Sequence, residues 1–531
     1  MEKIILQPDP ARVMEGLRDT GYKFNTAMAD LVDNSIAANA TKIKVSIDMS
    51  PNGEITVYIA DNGCGMNFEG LKNAMRYGSM RRADASSLGK FGLGLKTAST
   101  AFCRSLSLVS KDSESDYHKV QWDLDEVCKR NEWELLCPSV DQDEIDLLEE
   151  VTDGKSGTLV IWKKVDRLMK SYATRHYEKK AFDKIIQNLR SHFGMVYQRF
   201  LDARFENVPN VELILNEELV KAWDPFCTDE PQSSLIAKQR VEVEISLDKR
   251  SSFELKAYIL PRVEEFSSKE AYINANVNND FQGFYIYREN RLIKYGDYLG
   301  MYINDPHYSL LRIEFNFDNT LDEAFNVDIK KSEILLAEEI FQHIRDNFMP
   351  APRRQAADIY RKGQDKKVKD KGQDAHDSSN KNIGNNASSV EHSKVEVTDA
   401  EKGSVAVTNS NGTTTGTIKV ILKTPENRTR VIPVDEIKYG DLWEPTIAGD
   451  NLAHAVSINQ SHEYYKKVYA PVLDNSVLVQ GMDALLWALS EAELSTYNSE
   501  TKEHYEEMRH MVSKILNKLV AHLPDPQVDE E

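Results

Sequence analysis

The sequence is poor in cysteine, poor in positive charge and without a long apolar run. Five cysteines (Cys64, Cys103, Cys128, Cys137 and Cys227) stand among 531 residues, and no two share Cys-x-x-Cys spacing. An odd count in a long chain without that spacing reads as reduced thiols rather than a disulfide frame or a cysteine zinc site. No stretch approaches the roughly 18–20 apolar residues that a bilayer span needs, so no membrane partner is expected. The opening MEKIILQPDPARV has no basic region followed by an apolar core. No signal peptide is expected there, and the location implied is cytoplasmic. Lysine and arginine number 66 against 85 acids, a net charge of −19. That excludes a general nucleic-acid coat but not a local basic patch. There is no internal repeat.

What is present suffices for two to four domains, since 41% of the residues are apolar. Residues 1–170 alternate helical and strand patterns. Phe24, Met28, Leu31, Val32 and Ile36 keep helical spacing, while KIKVSID and EITVYIA alternate as strands. SLSLVSK and GTLVIWK add two more strands, so the segment reads as an α/β layer with a mixed sheet. Residues 171–235 read as connecting helices, and 236–350 as a second, strand-rich α/β domain closed by SEILLAEEIFQHIRDNF. Residues 351–416 are rich in Lys, Ser, Asn, Gly and Thr, and read as a disordered linker. Residues 417–527 form a small α+β module. TIKVILK and TRVIPV suggest a hairpin there, followed by helices.

The chemistry concentrates in four places. In ADLVDNSIAANA, Asp30 and Asn34 stand at i and i+4, on the face opposite the apolar residues. Just after a strand comes DNGCGM, where Asp61 precedes Gly63 and Gly65, and the glycines permit a tight turn close to a flat ligand. GKFGLGLKTAS carries Gly89, Gly92 and Gly94 ahead of a helical run, with Lys90 and Lys96 for charge. Such glycines present bare amides to phosphates. SGTLVIW places Thr158 at a strand start. Each piece alone is explained as well by a turn, a cap or a satisfied core amide. The ordered set of four points to nucleotide binding.

This set resembles the GHKL superfamily, which contains gyrase, the ninety-kilodalton heat-shock chaperone, histidine kinases and MutL. The second domain extends the resemblance over roughly residues 12–350. GFYIYRENRLI is similar to a strand-turn-strand of MutL-like and MORC-like ATPases, and NVDIKKSEI to the MutL segment that offers a lysine to the γ-phosphate. Bacterial MORC-like proteins are nearest in pattern. The resemblance implies a Bergerat-type α/β sandwich, then an α/β transducer domain with a ribosomal-protein-like βαβ fold. It implies ATP and Mg²⁺ as ligands. Asn34 would hold the Mg²⁺. Asp61 would accept from the adenine amine, with Thr158 supporting it through water and Met66 packing on the base. The lid Gly89, Lys90, Gly92, Leu93, Gly94, Leu95 and Lys96 would cover the phosphates. Asp30 would be the general base, and Lys331, beside Lys330, would stabilise charge on the γ-phosphate.

Asp30 departs from the family, which has glutamate there. Aspartate is one methylene shorter, about 1.5 Å of reach, and would act through a shifted water. Three functions follow from the resemblance: an ATP-gated clamp on DNA or a client, a non-hydrolysing nucleotide-dependent scaffold, and a chaperone-like ATPase. A homodimer formed through the N-terminal domain with ATP is implied, with DNA or an operon-encoded protein as partner and anti-phage or restriction systems as the setting. The C-terminal module offers His462 beside Glu463 but no second spaced histidine, so it reads as an interaction or dimerisation module rather than a zinc site.

Overall fold

The computed structural model describes residues 8–19, 21–77, 94–170, 174–246, 249–322, 325, 336–400, 402–424, 429–473, 476–496, 498, 501–520 and 523. The chain divides into two compact units, residues 1–357 and 358–531.

The first unit opens with α1 (Pro10–Arg18), α2 (Phe24–Ala37), β1 (Lys42–Met49), β2 (Ile55–Asp61), α3 (Phe68–Met75) and α4 (Gly94–Thr100). It continues through β3 (Cys103–Lys111), β4 (His118–Asp123), α5 (Leu124–Arg130), α6 (Gln142–Thr152) and β5 (Gly157–Val165). Then come α7 (Arg175–Val196), α8 (Gln198–Leu201), β6 (Glu212–Leu215) and β7 (Glu218–Leu219). Among the described residues these strands form one seven-stranded sheet in the order β4-β3-β5-β2-β1-β6-β7. Side chains alternate across a strand. Val57, Ile59, Val160 and Trp162 therefore face α2, whose Met28, Leu31 and Val32 join the same core. Ala60, Leu159 and Ile161 face the other way, onto Leu148 and Val151 of α6.

Residues 171–235, expected as connecting helices, also supply β6, which pairs in parallel with β1 through Lys42↔Glu212 to Val45↔Leu215. VELIL is too short to show a period in sequence, and only the open edge of β1 makes it a strand.

A second sheet follows. β8 (Ser234–Ser246), β9 (Lys249–Ile259), β10 (Gly283–Arg288), β11 (Arg291–Asp297) and β12 (Leu311–Phe317) lie in the order β11-β10-β12-β9-β8. α9 (Lys269–Ala275) lies between β9 and β10 in the chain, and α10 (Glu338–His343) follows β12.

The stretch expected as a disordered linker, 351–416, holds regular elements in the structure. It carries α11 (Pro350–Ala375), α12 (Asp377–Val390), β13 (Lys394–Asp399), β14 (Ser404–Asn409) and β15 (Gly412–Thr417). The composition is polar, but KVEVTD and SVAVTN alternate. Val395, Val405 and Val407 are buried with Ile418, Ile447 and Leu494. β14 and β15 pair from Ser404↔Thr417 to Asn409↔Gly412, closed by Ser410 and Asn411, a two-residue hairpin loop. In α12, Ile383 and Ala387, four apart, face the core of the second unit.

The rest of that unit is β16 (Lys419–Ile421), β17 (Val431–Val434), β18 (Trp443–Ala448), β19 (Ala453–Asn459), α13 (Ser476–Thr496) and α14 (Lys502–Val520). The expected hairpin of TIKVILK with TRVIPV does not form. The sheet order is β16-β18-β19-β17, so those two strands lie on opposite edges. β17 finds its partner in β19, and its outer edge is met by Asn380. That side chain accepts from Arg430 N and Val431 N at 2.7 and 2.9 Å and donates to Val431 O at 3.0 Å. Among the described residues no helix is long and apolar enough to cross a membrane.

Candidate functional site

α2 runs between an extended Lys23 and a C-cap at Ala38, and one side of it packs on the sheet. Its remaining side is not solvated. Asp30 is 5% exposed, Asp33 is fully buried, and Asn34 is half-buried. Buried carboxylates must be hydrogen-bonded or paired to be tolerated. Asp30 Oδ2 accepts from the Tyr22 hydroxyl at 3.0 Å. Gly94, the first residue of α4, comes up against the same carboxylate. A Cβ there would lie 3.6 Å from Asp30 Oδ2.

β2 delivers the next group. Asp61 is its last residue and shares strand parity with Val57 and Ile59, so its side chain points toward α2. The carboxylate is buried. Oδ2 accepts from the Ser35 hydroxyl at 2.7 Å, and Oδ1 from the Gly63 amide at 2.9 Å. Burial raises its pKa, and the bonds from Ser35, Gly63 and the Thr158 backbone partly offset the rise.

Gly65 has φ +66°, and a Cβ on it would stand 1.8 Å from the Lys111 carbonyl oxygen, so no other residue fits the turn. Thr158 pairs with Asp61 across β5–β2 and shares a 2.8 Å hydrogen bond with Ser110. The Ser110 hydroxyl also accepts from the Met66 amide at 2.9 Å and lies 2.7 Å from the Gly157 carbonyl. Met66 is partly buried against the main core. The structure therefore brings Asp30, Asn34, Asp61, Gly63, Gly65, Met66, Gly94 and Thr158 to the junction of α2, the β2 turn and β5.

Leu95 packs partly buried on the same core. Lys96 does not point outward. It is 1% exposed, donates to the Ala74 carbonyl at 2.9 Å and lies over the Tyr77 ring. Burial lowers its pKa to about 8. Gly89, Lys90, Gly92 and Leu93, with Lys330 and Lys331, lie outside the described residues.

Sequence reasoning missed Ser35, Ser110, Tyr22, Tyr197 and Arg291. Ser35 stands inside ADLVDNSIAANA, but its register against β2 is a tertiary fact. Arg291 comes from β11, more than 250 residues further along the chain, and its Nε donates to Asp33 Oδ1 at 2.8 Å. Among the described residues no group of three or more His, Cys, Asp or Glu is arranged to hold a metal. The side chain that could hold a hard cation is Asn34, through its amide oxygen. That suits Mg²⁺, which binds through few protein oxygens plus those of a nucleotide.

Residues 22–158 match the family model described as histidine kinase-, DNA gyrase B-, and HSP90-like ATPase, and that match supports ATP binding by this segment. A solved structure titled "Crystal Structure of N terminal domain of a DNA repair protein" is similar at 16% identity. It covers 67% of this chain and 99% of that chain with a TM-score of 0.38, a likeness too loose to bear on this chain's chemistry. No curated protein matches the chain.

Proposed function

We propose that the protein is a slow, Mg²⁺-dependent ATPase of GHKL type that works as a nucleotide-gated clamp or switch. The observation that carries the reading is Asp61. Its buried carboxylate is held by Ser35 and Gly63 at a turn that only glycine permits, on the face of β2 that packs against α2. A carboxylate so fixed is an acceptor for an amine on a flat base, and the family match over 22–158 supports adenine as that base.

ATP supplies the phosphoanhydride, and Mg²⁺ neutralises its charge. The chain's own residues do the rest. Asn34 would hold the cation through its amide oxygen, and Gly94 would lie near the phosphates. Asp30 accepts a proton from the attacking water. Tyr22 occupies one of its oxygens, and the shorter aspartate reaches less far, so turnover is slow. Lys331, which lies outside the described residues, would add positive charge at the γ-phosphate, as the resemblance implies. Dimerisation through the ATP-binding segment with ATP, and DNA as the enclosed partner, belong to the same proposal.

The test is Mg·ATP binding by calorimetry and phosphate release, with and without DNA, on wild type, Asp61→Asn and Asp30→Asn. Asp61→Asn turns a donor group toward the adenine amine, a mismatch of order 1–3 kcal/mol, and should weaken binding about 5- to 150-fold. Asp30→Asn should bind normally and turn over at least ~10²-fold more slowly. Unchanged affinity in Asp61→Asn overturns the site. Binding without turnover in wild type selects the non-hydrolysing scaffold instead.

A further inference from the structure

The second sheet reaches α2 at the β10–β11 hairpin, through Arg291. β10 and β11 are joined by Glu289 and Asn290, both at positive φ (48° and 66°), the backbone of a tight mirror-image hairpin turn. Its flanking residues are all engaged. Arg288 grips Asp322 with two bonds of 2.6 and 2.8 Å, and Asn290 accepts from Arg199 at 3.2 Å. Arg291 Nε donates to Asp33 Oδ1 at 2.8 Å, with side chains 4% and 0% exposed.

A second group acts on the same stretch of α2. The Tyr197 hydroxyl lies 2.8 Å from that Asp33 oxygen and 2.6 Å from the Ala29 carbonyl. Ala29 precedes Asp30, and Asp33 precedes Asn34. The residues adjoining both candidate functional side chains are therefore held from outside the helix. His192 of α7 lies in the same buried cluster, where burial and the nearby Arg291 charge lower its pKa to about 4. A buried ion pair is a poor source of bulk stability, because desolvation offsets the attraction. What it does contribute is a fixed register between the two elements it joins.

We propose that Arg291 is a positioning residue for the nucleotide site. Docked on Asp33, its guanidinium sets the rotation of α2 that aims Asp30 and Asn34, and it ties nucleotide occupancy at α2 to the β10–β11 hairpin. The inference rests on the ATP-binding reading above. Coupling of this kind is reciprocal: a nucleotide that favours the docked helix favours the docked hairpin.

The test uses the full chain, Mg²⁺ and a non-hydrolysable ATP analogue, read by amide hydrogen exchange and by analogue affinity. In wild type the analogue should slow exchange in both 24–37 and 283–297, by ~5-fold or more, the low end of ordinary coupling between sites. In Arg291→Gln, at saturating analogue, the protection of 24–37 should remain while that of 283–297 is lost, and by reciprocity the analogue's affinity should fall ~5-fold or more; an unchanged affinity overturns the positioning role. Arg291→Lys, which keeps the charge, should restore part of the lost protection, and it keeps the test alive if the glutamine variant fails to fold.

Arg312→Lys serves as a stability control. Arg312 is buried in β12 and bonds the carbonyls of Pro225, Ala275 and Asn276, away from α2. It should lower Tm and leave both protections in place. Hairpin protection that survives in Arg291→Gln, or that Arg312→Lys abolishes equally, overturns the proposal. Wild type with protection of 24–37 alone also overturns it and leaves ATP binding intact. Wild type with no protection anywhere removes the ATP reading itself.

Discussion

Single residues carry opposite demands at this site. Lys96 is a charged group held in a core, with Ala74 O as acceptor and Tyr77 beneath it. Desolvation depresses its pKa from 10.5 to about 8. Below about 8 the amine is charged in folded and unfolded chains alike, and the folded state carries the full burial cost. Between about 8 and 10.5 the folded protein binds fewer protons than the unfolded one, so stability rises with pH across that window. Lys96→Met should therefore be more stable than wild type near neutral pH, and the gap should shrink as pH rises through the window. Denaturant unfolding at the two ends of the window measures it. A gap that does not change with pH would show that the charge is not what the substitution relieves. A fall in ATP affinity in the same variant would show that the amine is released to the phosphates when nucleotide binds.

Whole elements explain why a composition as polar as that of 351–416 is compatible with strands. A strand needs one buried side chain in two, so a segment can be largely Ser, Thr, Asn and Gly and still be a sheet. In β14 the buried ones are Val405 and Val407, both at 0% exposure. Val407→Ala should cost about 2 kcal/mol, the loss of two methyl groups plus the space they leave. Limited proteolysis should then cut within 394–417 faster than in wild type, with ATP affinity unchanged. Equal cutting rates would mean that the sheet does not protect this stretch. The π-helical turn Tyr465–Tyr469 was legible only as helix. Its stacked Tyr465 and Tyr469 rings close around His376 and Asp483, and those buried partners come from distant segments.

At the scale of the molecule, two compact units make a single unfolding free energy ill-defined. A ligand stabilises only the species that binds it, by about 2.7 kcal/mol at a hundredfold excess over Kd. Scanning calorimetry with Mg·ATP should accordingly raise one transition, assigned to the unit of residues 1–357, and Asp61→Asn should shrink that shift. A uniform shift of the whole profile, or a shift that persists undiminished in Asp61→Asn, would place the nucleotide elsewhere.

The sequence by itself determined the α/β character of the first unit and the positions of Asp30, Asn34, Asp61, Gly65 and Thr158. These sit in local patterns, a helical face, a strand end and a glycine turn, which short-range sterics and hydrogen bonding enforce wherever the chain folds. Only the tertiary structure decided that Ser35 bonds Asp61, that VELIL becomes a strand beside β1, and that Asn380 covers the edge of β17. It alone decided that Arg291 reaches Asp33 across 258 positions. Each of these depends on which distant backbone or charge is left without a partner when the layers pack. No local period in the chain encodes that remainder.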